Sequence, residues 1–271
     1  VTSTVTRVLA PNPSVFTGRG TNTYLTGGSA LVCIDPGPDD ESHLAAILAA
    51  ATARGGRITT ILVTHSHPDH RPLALRLAHE TGATVRCFDP SAGQEHAQAL
   101  SHGDVMRVGD LDIVAVHTPG HTRDHLCFFD PATRTLYTGD HILNGTTSVV
   151  HPGEGDMSDY IESLRKVQAL QPLTILPGHG ERVDDAGALI AEYIAHRMER
   201  EHQVLAAARG RPDFTPMELV PTLYAGYPPE VFPLAAWTVQ AHLDKLVRDG
   251  RIDRIDGGSD TEPPRYVAPI R

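Results

Sequence analysis

The sequence predicts an α/β protein that ends in a small winged-helix module. Three observations carry that reading. Short apolar strands alternate with helical segments over the first two-thirds of the chain, a long amphipathic run follows, and the last stretch reads as helices and then a hairpin. With 271 residues, 40% of them apolar and 21% charged, there is ample material for a core, which excludes a disordered or fibrous chain. The 24 Gly and 21 Pro follow no period and mark many turns. No apolar run reaches the roughly 18 residues of a membrane span, so none is expected.

In chain order, strands are expected at 23–26, 30–34, 58–63, 84–88, 113–117, 126–129, 135–137 and 174–176, each bounded by Gly, Pro or Asp. Helical spacing marks 41–53, 72–80 and 158–170. The Asp-Pro-Ala-Thr-Arg stretch at 130–134 reads as a hairpin turn, and Asp156 or Ser158 as a helix N-cap. Residues 185–208 form the long helix, because Ile190, Ile194, Met198 and Leu205 return at helical spacing before Gly210 and Pro212 end the run. Helices are then expected at 216–224 and 234–249, with Trp237 in the tail core. Residues 251–255 and 265–267 flank a Gly-Gly-Ser-Asp loop as the strands of a wing would. The division expected is a main domain over 1–203, ending in the long helix, and a tail over 204–271.

The net charge of −10 is unevenly spread, with 15 Lys/Arg against 24 Asp/Glu in residues 1–203 and 8 against 9 thereafter. Neither part offers a broad basic face for a phosphate backbone. Cys33, Cys87 and Cys127 lie far apart with no CxxC spacing, and an odd count cannot complete a disulfide framework; reduced, strand-borne thiols are expected. Residues 1–5 show no basic stretch followed by an apolar one, so a cytoplasmic location is expected.

The chemistry concentrates in Thr64-His65-Ser66-His67-Pro68-Asp69-His70, at the end of an apolar strand. Four candidate ligands within six residues, on a loop stiffened by proline, suit a metal that takes imidazole and carboxylate. Three more polar positions follow, each again at a strand end: His121 in Thr-Pro-Gly-His-Thr, Asp140 in Tyr-Thr-Gly-Asp and His179 in Leu-Pro-Gly-His-Gly. Ligands collect at strand ends in α/β sheets, and the neighbouring glycines let backbone approach a crowded centre.

This set resembles the metal-binding motifs of the metallo-β-lactamase superfamily, in order, with Asp35 of Cys-Ile-Asp-Pro-Gly matching its first motif. The resemblance implies an αββα sandwich whose metals lie at one edge between two sheets. Asn12-Pro13, residues 20–25, 139–143, 156–164 and 192–197, and the winged-helix tail are similar to the β-lactamase-like protein 2 group; Arg71-Pro72 stands where that group carries small residues. By that pattern His65, His67 and His121 hold one metal, Asp69, His70 and His179 the second, and Asp140 bridges them. Two zinc ions are implied, and manganese or iron also suit such ligands. A metal-bridging hydroxide is the implied nucleophile, with Asp69 orienting it or taking its proton, and Asp35 fixes the ligand loop from behind.

Of the other eleven histidines most are expected at the surface, while His141 and His151, with Asn22, are candidates to contact substrate. The function expected is hydrolysis of an ester-like bond, either a thioester or ester or a single-stranded RNA phosphodiester. Cys or Ser stands at the position of Asp140 in metallo-β-lactamases proper, which disfavours antibiotic hydrolysis. Iron-dependent persulfide dioxygenases keep a similar motif but lack this tail, and form one alternative. A nucleic-acid-binding winged helix with structural metals is the other, although the second tail helix sets Lys245 and Arg248 against Asp244 and Asp249, a balance that disfavours DNA. Shaping a pocket or forming a homodimer contact is the role expected of the tail.

Overall fold

The computed structural model describes residues 5–90, 97–255 and 263–268. The chain forms two compact units, Val1–Thr118 with Asp124–Ser148 and Lys166–Ile190, and Pro119–Arg123 with Val149–Arg165 and Ala191–Arg271.

In the first unit β1 (Thr6–Leu9), β2 (Asn22–Gly27), β3 (Ala30–Ile34), β4 (Arg57–Leu62), β5 (Thr84–Cys87) and β6 (Gln98–Ala99) make one sheet in sequence order. The first two pairings are antiparallel. From β3 onward the pairings are parallel, with α1 (Glu41–Ala53) crossing from β3 to β4 and α2 (Leu73–Thr81) from β4 to β5. The α1 start is set by Asp40, whose carboxylate accepts the His43 N–H at 2.8 Å. A second sheet holds β7 (Val105–Val108), β8 (Leu111–His117), β9 (Leu126–Asp130), β10 (Thr135–Gly139) and β11 (Thr174–Pro177), ordered β11-β10-β9-β8-β7, with only β11 parallel to its neighbour.

The strand period of two explains why β3 is apolar throughout. Leu31 and Cys33 pack with Leu44, Ile47, Leu73 and Leu77 of the helices, while Val32 and Ile34 pack with Ile113, Phe128 and Leu176 of the second sheet. β3 therefore lends one face to each of the two apolar clusters, and its carboxyl end opens at the candidate site.

The second unit comprises two excursions from the main fold and the C-terminal helices. α3 (Met157–Ala169) and α4 (Ala186–Ala208) each belong partly to both units. α5 (Pro216–Leu223), α6 (Phe232–Arg248) and the antiparallel pair β12 (Asp253–Ile255) and β13 (Arg265–Val267) form the winged helix. Its core joins Val204, Phe214, Leu219, Val239, Leu243, Leu246 and Tyr266, and the Tyr266 hydroxyl donates to Asp244 at 2.6 Å. The Gly-Gly-Ser-Asp wing tip lies outside the described residues.

Three strands were not expected from the sequence. β1 and β7 are four residues long and alternate half-buried or buried with exposed positions, and β6 has only two residues, so none carries a run long enough to mark a strand. Trp237 is a correction: it stands outside the tail core, half-buried, with its ring edge-on to His151 at 4.4 Å. The helical spacing that suggested a core position holds for Val239 and Leu243, which occupy a different face.

Candidate metal centre

β4 delivers the chain, through buried Val63, to Thr64, and residues 65–70 then turn back: the N–H groups of His70 and Arg71 both donate to the His67 carbonyl, at 3.1 and 3.2 Å. That turn brings side chains together that no regular element would. His65 Nε2 lies 3.0 Å from His67 Nδ1, and one nitrogen of each ring and an Asp140 oxygen fall within 4.8 Å of one another. Asp69, His70, Asp140 and His179 form a second group within the same limit. There the Asp140 carboxylate lies 3.2 Å from His70 Nε2 and 3.3 Å from His179 Nε2, and that of Asp69 lies 3.5 and 3.1 Å from the same two nitrogens. Ligands about 2.0–2.1 Å from a tetrahedral zinc are separated by about 3.3 Å, so these spacings match the edges of a coordination polyhedron.

The surrounding hydrogen bonds fix which nitrogen of each ring faces inward. Asp35, 2% exposed, accepts from the Thr64 N–H and hydroxyl, both at 2.8 Å, and from His70 Nδ1 at 2.9 Å. Carboxylates only accept, so His70 Nδ1 carries the proton and Nε2 turns a lone pair toward Asp69 and Asp140. The Thr64 hydroxyl, having given its hydrogen to Asp35, accepts from His65 Nδ1 at 2.9 Å and leaves His65 Nε2 basic. His179 Nδ1 donates to the Gly20 carbonyl at 3.2 Å, with the same consequence.

Lone pairs and carboxylates converging on one point require a cation there. Burial alone would keep His70 and His179 neutral, but Asp140 with Asp35 holds the His70 pKa well above its ordinary value, and Asp140 with Asp69 raises His179 to about 9. Burial opposes ionisation of Asp69 and Asp140 as well, yet the two imidazoles overcome it and push both carboxyls well below their usual range. A divalent metal can take the place of these protons. The donors are nitrogen and carboxylate oxygen only; all three cysteines are buried free thiols, and burial pushes Cys127 up to about 12. Space has also been kept for the centre, since a Cβ on Gly178 would lie 2.6 Å from Asp140 Oδ1 and 2.7 Å from His70 Cε1.

The other expected residues are differently placed. Asn22 is buried and its amide donates to the Pro177 and Gly180 carbonyls at 2.9 and 2.8 Å, tying β2 to the His179 loop. His141 is fully buried, its ring 5.9 Å from that of His125. His121 and His151 belong to the second unit, where His121 Nδ1 donates to the Val149 carbonyl at 2.6 Å. Of the other histidines, His79, His102, His196 and His202 are exposed, as expected of most of them, whereas His43, His125, His141 and His242 are buried. The sequence reading missed Thr64, which links Asp35 to His65, and His125, whose backbone and ring bond Thr118 at 2.9 Å each and clamp the two ends of the chain that carries His121. Thr64 sits directly between strand and first ligand, which was the available signal. Beside His179 a cleft of about 500 Å³ is bordered by Leu9, Phe16, Arg19, Asn144 and Glu181.

A family model described as metallo-beta-lactamase superfamily matches residues 16–179, and one described as beta-lactamase associated winged helix domain matches residues 215–260. The chain is 34% identical to a Drosophila melanogaster protein named beta-lactamase-like protein 2 homolog, over 97% of this chain and 94% of that one. It is 31% identical to an atrochrysone carboxyl ACP thioesterase of Passalora fulva, over 93% and 78%. The fold is similar to the crystal structure of a metallo-beta-lactamase family protein from Thermus thermophilus, with a TM-score of 0.79, 22% identity and 98% of both chains covered.

Proposed function

This chain belongs to the metallo-beta-lactamase superfamily and is a metal-dependent hydrolase, and we propose that it uses two zinc ions to hydrolyse a thioester or ester of a small molecule. The observation that carries this is the group of Asp69, His70, Asp140 and His179, whose nitrogen-to-oxygen separations of 3.1–3.5 Å fit a shared metal. We assign His65, His67 and His121 to one ion, Asp69, His70 and His179 to the other, and Asp140 to both. When bound, zinc lowers the pKa of water to about 7 and polarises the carbonyl to be attacked.

The chain's own residues do the rest. The Asp69 side chain is 24% exposed against 12% for Asp140, so it is the carboxylate better placed to orient the attacking water and receive its proton. Asp35 and Thr64 hold the His65 and His70 rings in the tautomers that leave Nε2 basic. Nothing here needs to protonate a thiolate leaving group, which departs unaided.

A small neutral substrate is favoured over RNA by the way the basic residues are used. In the first unit Arg7 pairs with Glu181, Arg76 with Asp39 and Glu41, and Arg182 with Asp184. On the second tail helix, Lys245 bonds Glu201 and Asp249, and Arg248 bonds Asp156. A phosphate-tracking groove needs such groups unpaired. The thioesterase name of a relative supports thioester hydrolysis as the reaction.

The test is zinc-loaded protein with an acyl thioester, following released thiol and dissolved oxygen, beside labelled single-stranded RNA, with the His65→Ala, His67→Ala double variant as control. Thiol release without oxygen consumption, lost in the control, is expected. Cleavage of RNA alone, or oxygen uptake, would overturn the proposal.

A further inference from the structure

We infer that the winged helix positions a metal ligand: Trp237 and Arg248 of α6 hold the chain that presents the His121 imidazole. This rests on His121 being a ligand, as proposed above. Every contact that carries the inference lies within the second unit, which groups Pro119–Arg123 and Val149–Arg165 with the C-terminal helices.

The His121 segment is seated on the start of α3. The Gly120 carbonyl accepts the Asp156 N–H at 2.9 Å, and the Pro119 carbonyl accepts the Ser163 hydroxyl at 2.8 Å. Gly120 has φ +140°, and a Cβ there would lie 2.3–2.5 Å from Tyr160 backbone and Cβ atoms, so only glycine permits the approach. His121 itself is 7% exposed, and the bond from its Nδ1 to the Val149 carbonyl leaves Nε2 as the basic nitrogen. The seat is therefore the 149–156 loop and the first turns of α3.

That seat is gripped at both ends by α6. Asp156 caps α3, one carboxylate oxygen accepting from Ser158 N at 2.8 Å and Asp159 N at 3.1 Å, while its other oxygen is bonded by the Arg248 guanidinium. At the far end of the same loop the His151 ring lies 4.4 Å from Trp237, at 73°, and the His151 carbonyl accepts the Gly155 N–H at 2.8 Å. Trp237 and Arg248 are eleven residues apart, about three helical turns, and so share one face of α6. Recognition of DNA by α6 would need that face free; holding a ligand loop uses it as found.

Trp237 and Arg248 act through the loop that carries His121 and so are positioning residues, and outer partners of metal ligands commonly change metal affinity about 10–100-fold. The test is zinc titration of the full chain against a competing chelator, resolving two affinities, with the visible spectrum of the cobalt form reporting coordination. Trp237→Ala and Arg248→Ala are compared with His121→Ala and with Met217→Ala, an exposed α5 position outside these contacts. Each of the first two is expected to weaken one zinc about tenfold and shift the cobalt spectrum toward that of His121→Ala, leaving the other zinc and the Met217→Ala control unchanged. If Trp237→Ala does not fold, Trp237→Phe with Arg248→Gln takes its place. Two wild-type affinities in these variants while His121→Ala loses one, or equal weakening of both zincs, would overturn the inference. An unaltered His121→Ala would instead overturn the ligand assignment on which it stands.

Discussion

Replacing Asp35 with Asn asks how far a carboxylate that touches no substrate holds the centre together. The substitution keeps the shape, and the backbone φ of +49° is one that Asn adopts more readily than most residues, so backbone strain drops out. What changes is acceptor capacity. Asp35 takes three hydrogen bonds, from the Thr64 N–H on one oxygen and from the Thr64 hydroxyl and His70 Nδ1 on the other. An amide has a single acceptor oxygen, so its NH2 must face at least one of these donors. Hydrogen bonds to a charged group contribute about 1.5–3 kcal/mol each, and Asp35 is only 2% exposed. A loss of about 1.5–3 kcal/mol is expected, which in a chain of this size corresponds to a melting point lower by roughly 3–12 °C. Losing the His70 Nδ1 partner also frees the ring to change tautomer, so zinc affinity should fall about 10–100-fold. Urea unfolding of metal-free protein at neutral pH measures the first quantity and chelator competition the second. A stability change under about 0.5 kcal/mol, the range of an uninvolved surface substitution, would refute the argument that Asp35 anchors the loop.

Four further outcomes are expected. In metal-free protein the His179 imidazole, raised from 6.5 to about 9, contributes stability that is fully present below pH 6.5 and lost as the pH rises through 9; zinc affinity should climb over the same interval as the metal displaces that proton, and a flat affinity there would rule out the displacement. The depressed carboxyls of Asp69 and Asp140 act in the opposite direction, stabilising above their ordinary value near 3.8 and ceasing to do so as the pH falls below it. Gly178→Ala should lower zinc stoichiometry without unfolding the protein, because its methyl would occupy the space beside Asp140 Oδ1 and His70, and a full complement of two zincs in elemental analysis would contradict the assigned centre. Asp140→Ala should reduce bound zinc and lower turnover by at least about a hundredfold, about 2.7 kcal/mol of transition-state stabilisation, with native circular dichroism; unchanged turnover would remove Asp140 from the mechanism.

Much of this was legible in the sequence because it is written locally. Residues 41–53 and 30–34 are placed as expected, and the strand ends that carry His65, Asp140 and His179 were identifiable from an apolar run followed by a polar residue beside glycine. Asp156 caps its helix as expected. What was not legible depends on contacts between distant residues. Nothing in Thr-Arg-Val-Leu or Val-Met-Arg-Val distinguishes an edge strand from a loop until a neighbour supplies the ladder. The relay from Asp35 through Thr64 to His65 joins residues 29 apart, and the tie between Arg248 and Asp156 spans 92. The grouping of 119–123 and 149–165 with the C-terminal helices has no local signature at all.

The electrostatics of the centre and of the surface point the same way on substrate. Two divalent ions would bring four positive charges against the two carboxylates of Asp69 and Asp140, so the centre is locally cationic in a chain of net charge −10. That excess can polarise one carbonyl. Some of the basic residues that could extend it into a track are already paired, Arg7 with Glu181, Arg76 with Asp39 and Glu41, Arg182 with Asp184, and Lys245 and Arg248 of α6 with carboxylates of the second unit. A polyanion gains affinity by releasing counterions along several phosphates, whereas a neutral thioester needs only the charge at its reacting atom. The pairings named above favour the second of these under the proposed function. The proposed thioester hydrolysis should accordingly vary little with salt at concentrations that would abolish nonspecific RNA binding.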